Sequence, residues 1–250
     1  MSHPQTPTEF VFGMQSVKET LLSEKEIERV YIQKSTKSDG IREVLALARE
    51  RKVEVWQVPV EKLNRITQKN HQGVICYISP IHYVDVENVI QTAFENGENP
   101  LIIVLDEVTD VRNFGAIVRT ALCAGAHAVL FPEKGSARIG SDAMKTSSGA
   151  LNHLPICRTK NLVKSLKILK ESGLSLIACS EKGDQTIFDV DMSGPTAIIM
   201  GSEERGIKID HIAEADHFAK IPMTGKVQSM NVGVAMGIIS FEAVRQRIQS

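Results

Sequence analysis

The chain is 250 residues long, enough for one large domain or two modest ones, and 42% of it is hydrophobic, enough to bury a core. A formal net charge of −1 excludes a protein that coats nucleic acid indiscriminately, and no apolar run is long enough to span a bilayer. The four cysteines, Cys76, Cys123, Cys157 and Cys179, form no C-x-x-C pair, so neither a zinc knuckle nor a disulfide framework is indicated and no metal is expected. The first ten residues lack a basic-then-apolar signal pattern, and a reduced cytoplasm is the expected setting.

Residues 1–9 are polar, contain two prolines and are expected to lack fixed structure. From 10 to 80 the chain reads as a small α/β unit. Helices are predicted over 13–22, 41–51 and 60–66, and strands over 29–33, 53–58 and 74–78. Ile41, Val44, Leu45 and Ala48 have the spacing of one buried helix face. The polar run Thr67-Gln68-Lys69-Asn70-His71-Gln72-Gly73 precedes the last strand. It reads equally as a turn closed by Gly73 and as an RNA-facing loop whose amides and imidazole bond bases or 2′-hydroxyls. Residues 81–100, with the turn cluster Asn96-Gly97-Glu98-Asn99-Pro100 and a helix over 84–94, read as a linker between domains.

Residues 101–250 alternate strand and helix. The run Leu101-Ile102-Ile103-Val104-Leu105 is a strand buried on both faces, as in a parallel sheet. Helices are expected over 113–124, 141–148, 162–171 and 231–247, and strands over 128–131, 174–179, 196–200 and 217–221. This is an open α/β sheet, which binds ligands at the carboxyl ends of its strands. Neither G-x-G-x-x-G nor G-x-x-x-x-G-K-[ST] is present, so a nucleotide-like cofactor is held some other way. Charge is uneven: residues 131–170 carry eight bases, Arg138 among them, against two acids, and residues 171–220 carry ten acids against four bases. The basic block reads as a solvated helix face or as a phosphate-facing surface.

Three separated stretches carry candidate chemistry. Asp110-Val111-Arg112-Asn113-Phe114-Gly115 follows a strand and opens a helix, with Asn113 as a possible cap and Arg119 on the next turns. A helix start beside an arginine suits a phosphate. Gly201-Ser202-Glu203-Glu204-Arg205-Gly206 follows the strand over 196–200, where glycine lets backbone lie against a flat ligand. Ile221-Pro222-Met223 leads into Ser229-Met230-Asn231-Val232, where Ser229 or Asn231 can cap the final helix. Taken singly, each stretch is equally a capped helix or a glycine-punctuated turn.

In this order and spacing, the three stretches resemble the motifs of the SpoU/TrmH (SPOUT) RNA 2′-O-ribose methyltransferases. The resemblance is close over residues 100–250. The first 80 residues are similar to the small RNA-binding domain of the RlmB-like branch, the 23S rRNA (guanosine-2′-O-)-methyltransferases. It implies a parallel-sheet domain with a C-terminal trefoil knot, S-adenosylmethionine as cofactor, RNA as substrate and a homodimer. It further implies that Asn113, Arg119, Glu203, Ser229 and Asn231 are catalytic and that Gly201, Ile221 and Met230 hold the cofactor. Glu203, not Glu204, matches the family glutamate. Val111 stands where the family usually has proline, and Gly233 where it often has serine. The same chemistry on tRNA or another rRNA site, and a non-catalytic RNA-binding protein of this fold, are the alternatives.

Overall fold

The computed structural model describes residues 10–34, 38–137, 139–227 and 229–249. The expectations for residues 1–9 and for Arg138 lie outside these. The chain divides into two compact units between His82 and Tyr83.

The smaller unit runs β1 (Phe10–Phe12), α1 (Met14–Leu22), β2 (Ile27–Gln33), α2 (Asp39–Glu50), β3 (Val55–Val58), α3 (Val60–Ile66) and β4 (Val74–Ile78). Its sheet has the order β1-β4-β2-β3, with β3 parallel to β2 and β4 antiparallel to both neighbours. One face packs Val30, Ile32, Val74 and Cys76 against α1 and α2, through Val17, Leu21, Val44 and Ala48. The other buries Tyr31 and Ile75 with Leu63 of α3. In the polar run, both ring nitrogens of His71 are spent internally: Nε2 pairs with Asn64 Oδ1 at 2.9 Å, and Nδ1 accepts from Gly73 N at 3.0 Å. Gln72 Oε1 accepts from Met14 N at 2.7 Å. His71 and Gln72 therefore close a turn, and the imidazole is not offered to a base.

The larger unit runs β5 (Tyr83–Val84), α4 (Val86–Glu95), β6 (Leu101–Asp106), α5 (Val111–Cys123), β7 (Ala128–Pro132), α6 (Ser141–Thr146), a single 3-10 turn (Ala150–Asn152) and β8 (Ile156–Thr159). It continues with α7 (Leu162–Glu171), β9 (Ser175–Cys179), β10 (Gln185–Thr186), β11 (Thr196–Gly201), α8 (Ile209–Ile212), β12 (His217–Lys220) and α9 (Val232–Gln249). The eight strands are all parallel, in the order β10-β12-β9-β11-β6-β7-β8-β5. Of residues 81–100, expected as a linker, those from Tyr83 onward carry β5 and α4 and belong to this unit. The reason is burial: Val86 and Ile90 of α4 enter its core with Leu162, Leu166 and Leu169 of α7.

The opposite face of the sheet carries α5 and α9. They cross where side chains are small: a Cβ on Gly233 would lie 3.7 Å from Ala116 Cβ, and one on Gly237 3.5 Å from Thr120 Cγ2. Both distances are ordinary van der Waals contact; the tighter neighbour of a Cβ on Gly233 would be Asn231 Oδ1, at 3.2 Å. The far end of α9 is fastened by Arg247, whose guanidinium donates to the carbonyls of Asn99, Pro100, Met192 and Gly194 at 2.7–3.2 Å. Val234, Ile238 and Phe241 are 56%, 37% and 49% exposed along one stripe of α9. Among the described residues, no helix is long and apolar enough to cross a membrane, and no group of three His, Cys, Asp or Glu residues is placed to hold a metal.

Candidate functional site

The strand order places the site. β6 and β11 are neighbours, with Asp106 opposite Gly201, yet β7 lies beyond β6 and β9 beyond β11. The segments leaving their carboxyl ends diverge and open a crevice, the usual ligand position in such sheets.

A cavity of about 480 Å³ lies at the carboxyl ends of β9 and β11. Gly201, Glu203, Ile221, Ser229, Met230 and Asn231 all line it, so six of the expected site residues from two separated stretches converge. Ile239 and Met223 add apolar surface, and Glu181, Glu203 and Glu204 add carboxylates. Gly201 cannot be replaced without moving backbone: a Cβ there would stand 2.1 Å from the carbonyl carbon of Gly206. The loop between them turns back on itself through Gly206 N donating to Ser202 O at 2.8 Å.

The third stretch joins through side chains. Glu203 Oε1 accepts from Asn231 Nδ2 at 2.7 Å, from Asn113 Nδ2 at 3.2 Å and from Val232 N at 3.2 Å. Asn231 Nδ2 also donates to Asn113 Oδ1 at 2.9 Å. A second cavity, of about 590 Å³, lies across the 202–205 loop and is lined by Asp110, Asn113, Glu203 and Arg205. Glu203 thus lines both spaces, the first bordered also by Ile221, Met230 and Ile239 and the second by Asp110 and Asn113.

Capping differs from expectation at one helix. Asp110, not Asn113, caps α5, its Oδ1 accepting from the N–H groups of Arg112 and Asn113 at 2.8 Å each. Asp110 satisfies the free first-turn donors, which leaves the Asn113 amide available to the site. At α9 the cap is Asn231 rather than Ser229, through bonds from Gly233 N at 2.9 Å and Val234 N at 3.3 Å.

Arg119 is the expected residue that stands apart. It is exposed, donates to Ser148 Oγ at 3.2 Å and lines neither cavity. Six residues along a helix is about 9 Å of rise and roughly two-thirds of a turn, so Arg119 and Asn113 point in different directions. The basic block is also partly committed. Lys167 pairs with Glu214 at 3.5 Å, Lys170 with Asp216 at 2.6 Å, and Arg158 stacks over Tyr83 at 4.1 Å. Lys134, Lys145, Lys160 and Lys164 remain exposed. Glu214 and Asp216, which lie far away along the chain, take up Lys167 and Lys170.

Residues 100–241 match the family model of the SpoU rRNA Methylase family. The chain belongs to this family. Residues 10–84 match the model for RNA 2′-O ribose methyltransferase substrate binding. Among similar proteins, the 23S rRNA (guanosine-2′-O-)-methyltransferase RlmB of Pseudomonas putida is 35% identical over 241 residues, covering 96% of this chain and 97% of that one. YacO of Bacillus subtilis, named for the TrmH family of tRNA/rRNA methyltransferases, is 30% identical over 239 residues, 96% of each chain. The TrmH/SpoU tRNA modifying enzyme of A. aeolicus is 31% identical with a TM-score of 0.56 over 65% of this chain and 84% of that one. The fold is shared with AviRb of Streptomyces viridochromogenes, solved with AdoMet, at a TM-score of 0.61 and 24% identity over 96% and 91% of the two chains.

Proposed function

We propose that this SpoU-family protein transfers a methyl group from S-adenosylmethionine to the 2′-hydroxyl of a guanosine in 23S rRNA. The observation that carries the reading is Glu203, bonded to Asn113 and Asn231 at the boundary of two cavities.

The first cavity fits the cofactor. Its volume lies within the roughly 300–1,000 Å³ of small-molecule sites. Ile221, Met223 and Met230 offer apolar surface to an adenine, and the missing Cβ at Gly201 lets the Gly206 backbone fold back against the strand beside them. The carboxylates of Glu181, Glu203 and Glu204 suit a ligand that carries a sulfonium and an ammonium. When bound, the cofactor supplies an already activated methyl, so alignment of oxygen, carbon and sulfur accounts for much of the acceleration.

The chain's own residues then orient and deprotonate the acceptor. Glu203 is fixed through Oε1, which leaves its second oxygen to accept from the ribose hydroxyl. Asn113 and Asn231 hold that carboxylate in place, and Ser229 at the cavity edge contacts the ribose or the methionine part. Arg119 does not act as a base, because guanidinium stays protonated. It anchors an RNA phosphate from the exposed side of α5, apart from the cavity that Asn113 lines.

Three further parts of the reading have separate support. The 23S guanosine rests on the likeness to P. putida RlmB and on the extra unit before residue 83. The homodimer rests on the exposed stripe Val234, Ile238 and Phe241, an apolar surface of the kind that pairs two copies. Cytoplasmic residence rests on four cysteines that form no disulfide. The trefoil knot is proposed for the segment after β11, on family membership.

The test is incubation with labelled S-adenosylmethionine and rRNA from cells lacking the protein, followed by mapping of ribose methylation. A new 2′-O-methylguanosine in 23S rRNA is expected. Labelling only of tRNA or of another rRNA moves the substrate and keeps the chemistry. No cofactor binding in calorimetry leaves a non-catalytic RNA-binding protein.

A further inference from the structure

Behind the loop that carries Glu203 lies a buried ion-pairing group that the reaction itself does not touch. Asp106, the last residue of β6, is 1% exposed, and His211 of α8 is 6% exposed. Asp106 Oδ2 meets His211 Nδ1 at 2.7 Å and accepts from Lys208 N at 2.7 Å. Next to it Glu107, held at φ +55°, takes Lys208 Nζ at 2.6 Å and lies 3.9 Å from Arg205 Nη1. The 202–208 loop is therefore gripped at both ends: Glu203 at the cavity, and Lys208 and Arg205 at the end of β6.

Stability alone is a poor account of this pair. Asp106 Oδ1 is buried with no hydrogen-bond partner, and an unsatisfied carboxylate oxygen costs free energy. A well-packed apolar pair at such a place is often no less stable. What an aspartate adds here is direction. A single oxygen fixes both the backbone at Lys208 and the ring at His211, which sets where the loop leaves β11 and returns to α8.

We propose that His211, acting through Asp106, is a positioning residue for methyl transfer: it holds the 202–208 loop so that Glu203 faces the acceptor while its wall closes the cofactor cavity. The proposal rests on the methyl-transfer reading above, and it makes no claim that His211 contacts substrate.

The experiment compares the full-length chain with His211→Ala and His211→Asn. The asparagine amide nitrogen reaches about as far as imidazole Nδ1, so it can restore the bond to Asp106 without the ring. Two quantities are read. The first is amide hydrogen exchange, where protection at Arg205, Gly206 and Lys208 reports the loop. The second is kcat and KM with S-adenosylmethionine and unmodified rRNA. In His211→Ala, exchange in 202–208 is expected to quicken tenfold or more while β6 and β11 stay protected. A tenfold or larger fall in kcat is expected alongside it, with KM for RNA within twofold, and His211→Asn recovering most of both. The proposal is overturned by wild-type exchange and kcat in the alanine variant. It is equally overturned by exchange that rises across β6 and β11 together, or by an asparagine variant no better than alanine. Wild-type protein that methylates nothing sinks the methyl-transfer reading instead, and the exchange measurement still decides whether His211 sets the loop.

Discussion

Asn231 Nδ2 lies 2.7 Å from Glu203 Oε1, and the other side of the same asparagine caps α9 through Oδ1. One side chain thus both starts the last helix and fixes the carboxylate. Glu203→Ala is expected to lower kcat by about 10²–10³, the usual range for a lost general base, while leaving the fold intact. Asn231→Ala is expected to do the same and also to cost about 1 kcal/mol in stability through the lost cap. Urea unfolding beside single-turnover methylation separates the two: a Glu203 variant with full activity removes it from the mechanism.

Arg119 is exposed and donates to Ser148 Oγ, in a residue itself at φ +50°. Arg119→Ala is expected to keep the melting temperature within about 2 °C, as for most exposed substitutions, and to abolish methylation. The loss is expected through KM for RNA, as for a phosphate anchor; a fall in kcat with KM unchanged would instead place Arg119 at the reacting ribose.

Gly201 has no room for a side chain, since a Cβ would meet the Gly206 carbonyl carbon at 2.1 Å. Gly201→Ala must push the loop away from the strand. Calorimetry is expected to show loss of S-adenosylmethionine binding, of about 2 kcal/mol or more by the usual cost of overpacking. Unaltered affinity would show that the loop is not the cavity wall inferred here.

The cysteines divide by environment. Burial pushes the thiols of Cys76, Cys157 and Cys179 up to about 12, the last of these on the wall of the first cavity, whereas Cys123 is exposed. A thiolate-selective reagent at pH 8 is expected to modify Cys123 in the folded chain and all four after denaturation. Rapid labelling of Cys179 that S-adenosylmethionine suppresses would reveal an open cavity instead.

The exposed stripe on α9 gives a further outcome. Phe241→Lys, at a residue 49% exposed, is expected to leave the monomer folded and to shift the sedimenting species from dimer to monomer. An unchanged sedimentation coefficient would show that another surface pairs the copies, or that none does.

Long buried strands were the most legible parts of the fold, because residues 101–105 and 197–200 are continuous apolar runs that a parallel sheet requires. Short elements were not: β5 and β10 are two residues each, and α8 four, too little for any periodicity to register. Within the site, Gly201, Glu203, Ile221, Met230 and Asn231 were legible as motif positions. The bonds that join them to Asn113 cross 90 and 118 residues of sequence, and no local pattern encodes such distances. The capping role of Asp110 was hidden by Asn113, an equally good capping residue three positions later. The pairing of Lys167 and Lys170 with Glu214 and Asp216 was hidden because opposite charges in different blocks look like separate surfaces until the chain brings α7 beside the turn before β12.

The clamp of Arg247 on the carbonyls of Asn99, Pro100, Met192 and Gly194 bears on the order of events in folding. Asn113 is ready as soon as its helix forms, but its partner arrives 118 residues later on a segment that must dock and be tied down at its far end. Closing so long a loop is entropically slow. The region that does the chemistry is thus the last to mature, and a newly made chain is expected to be compact well before it can hold a ligand.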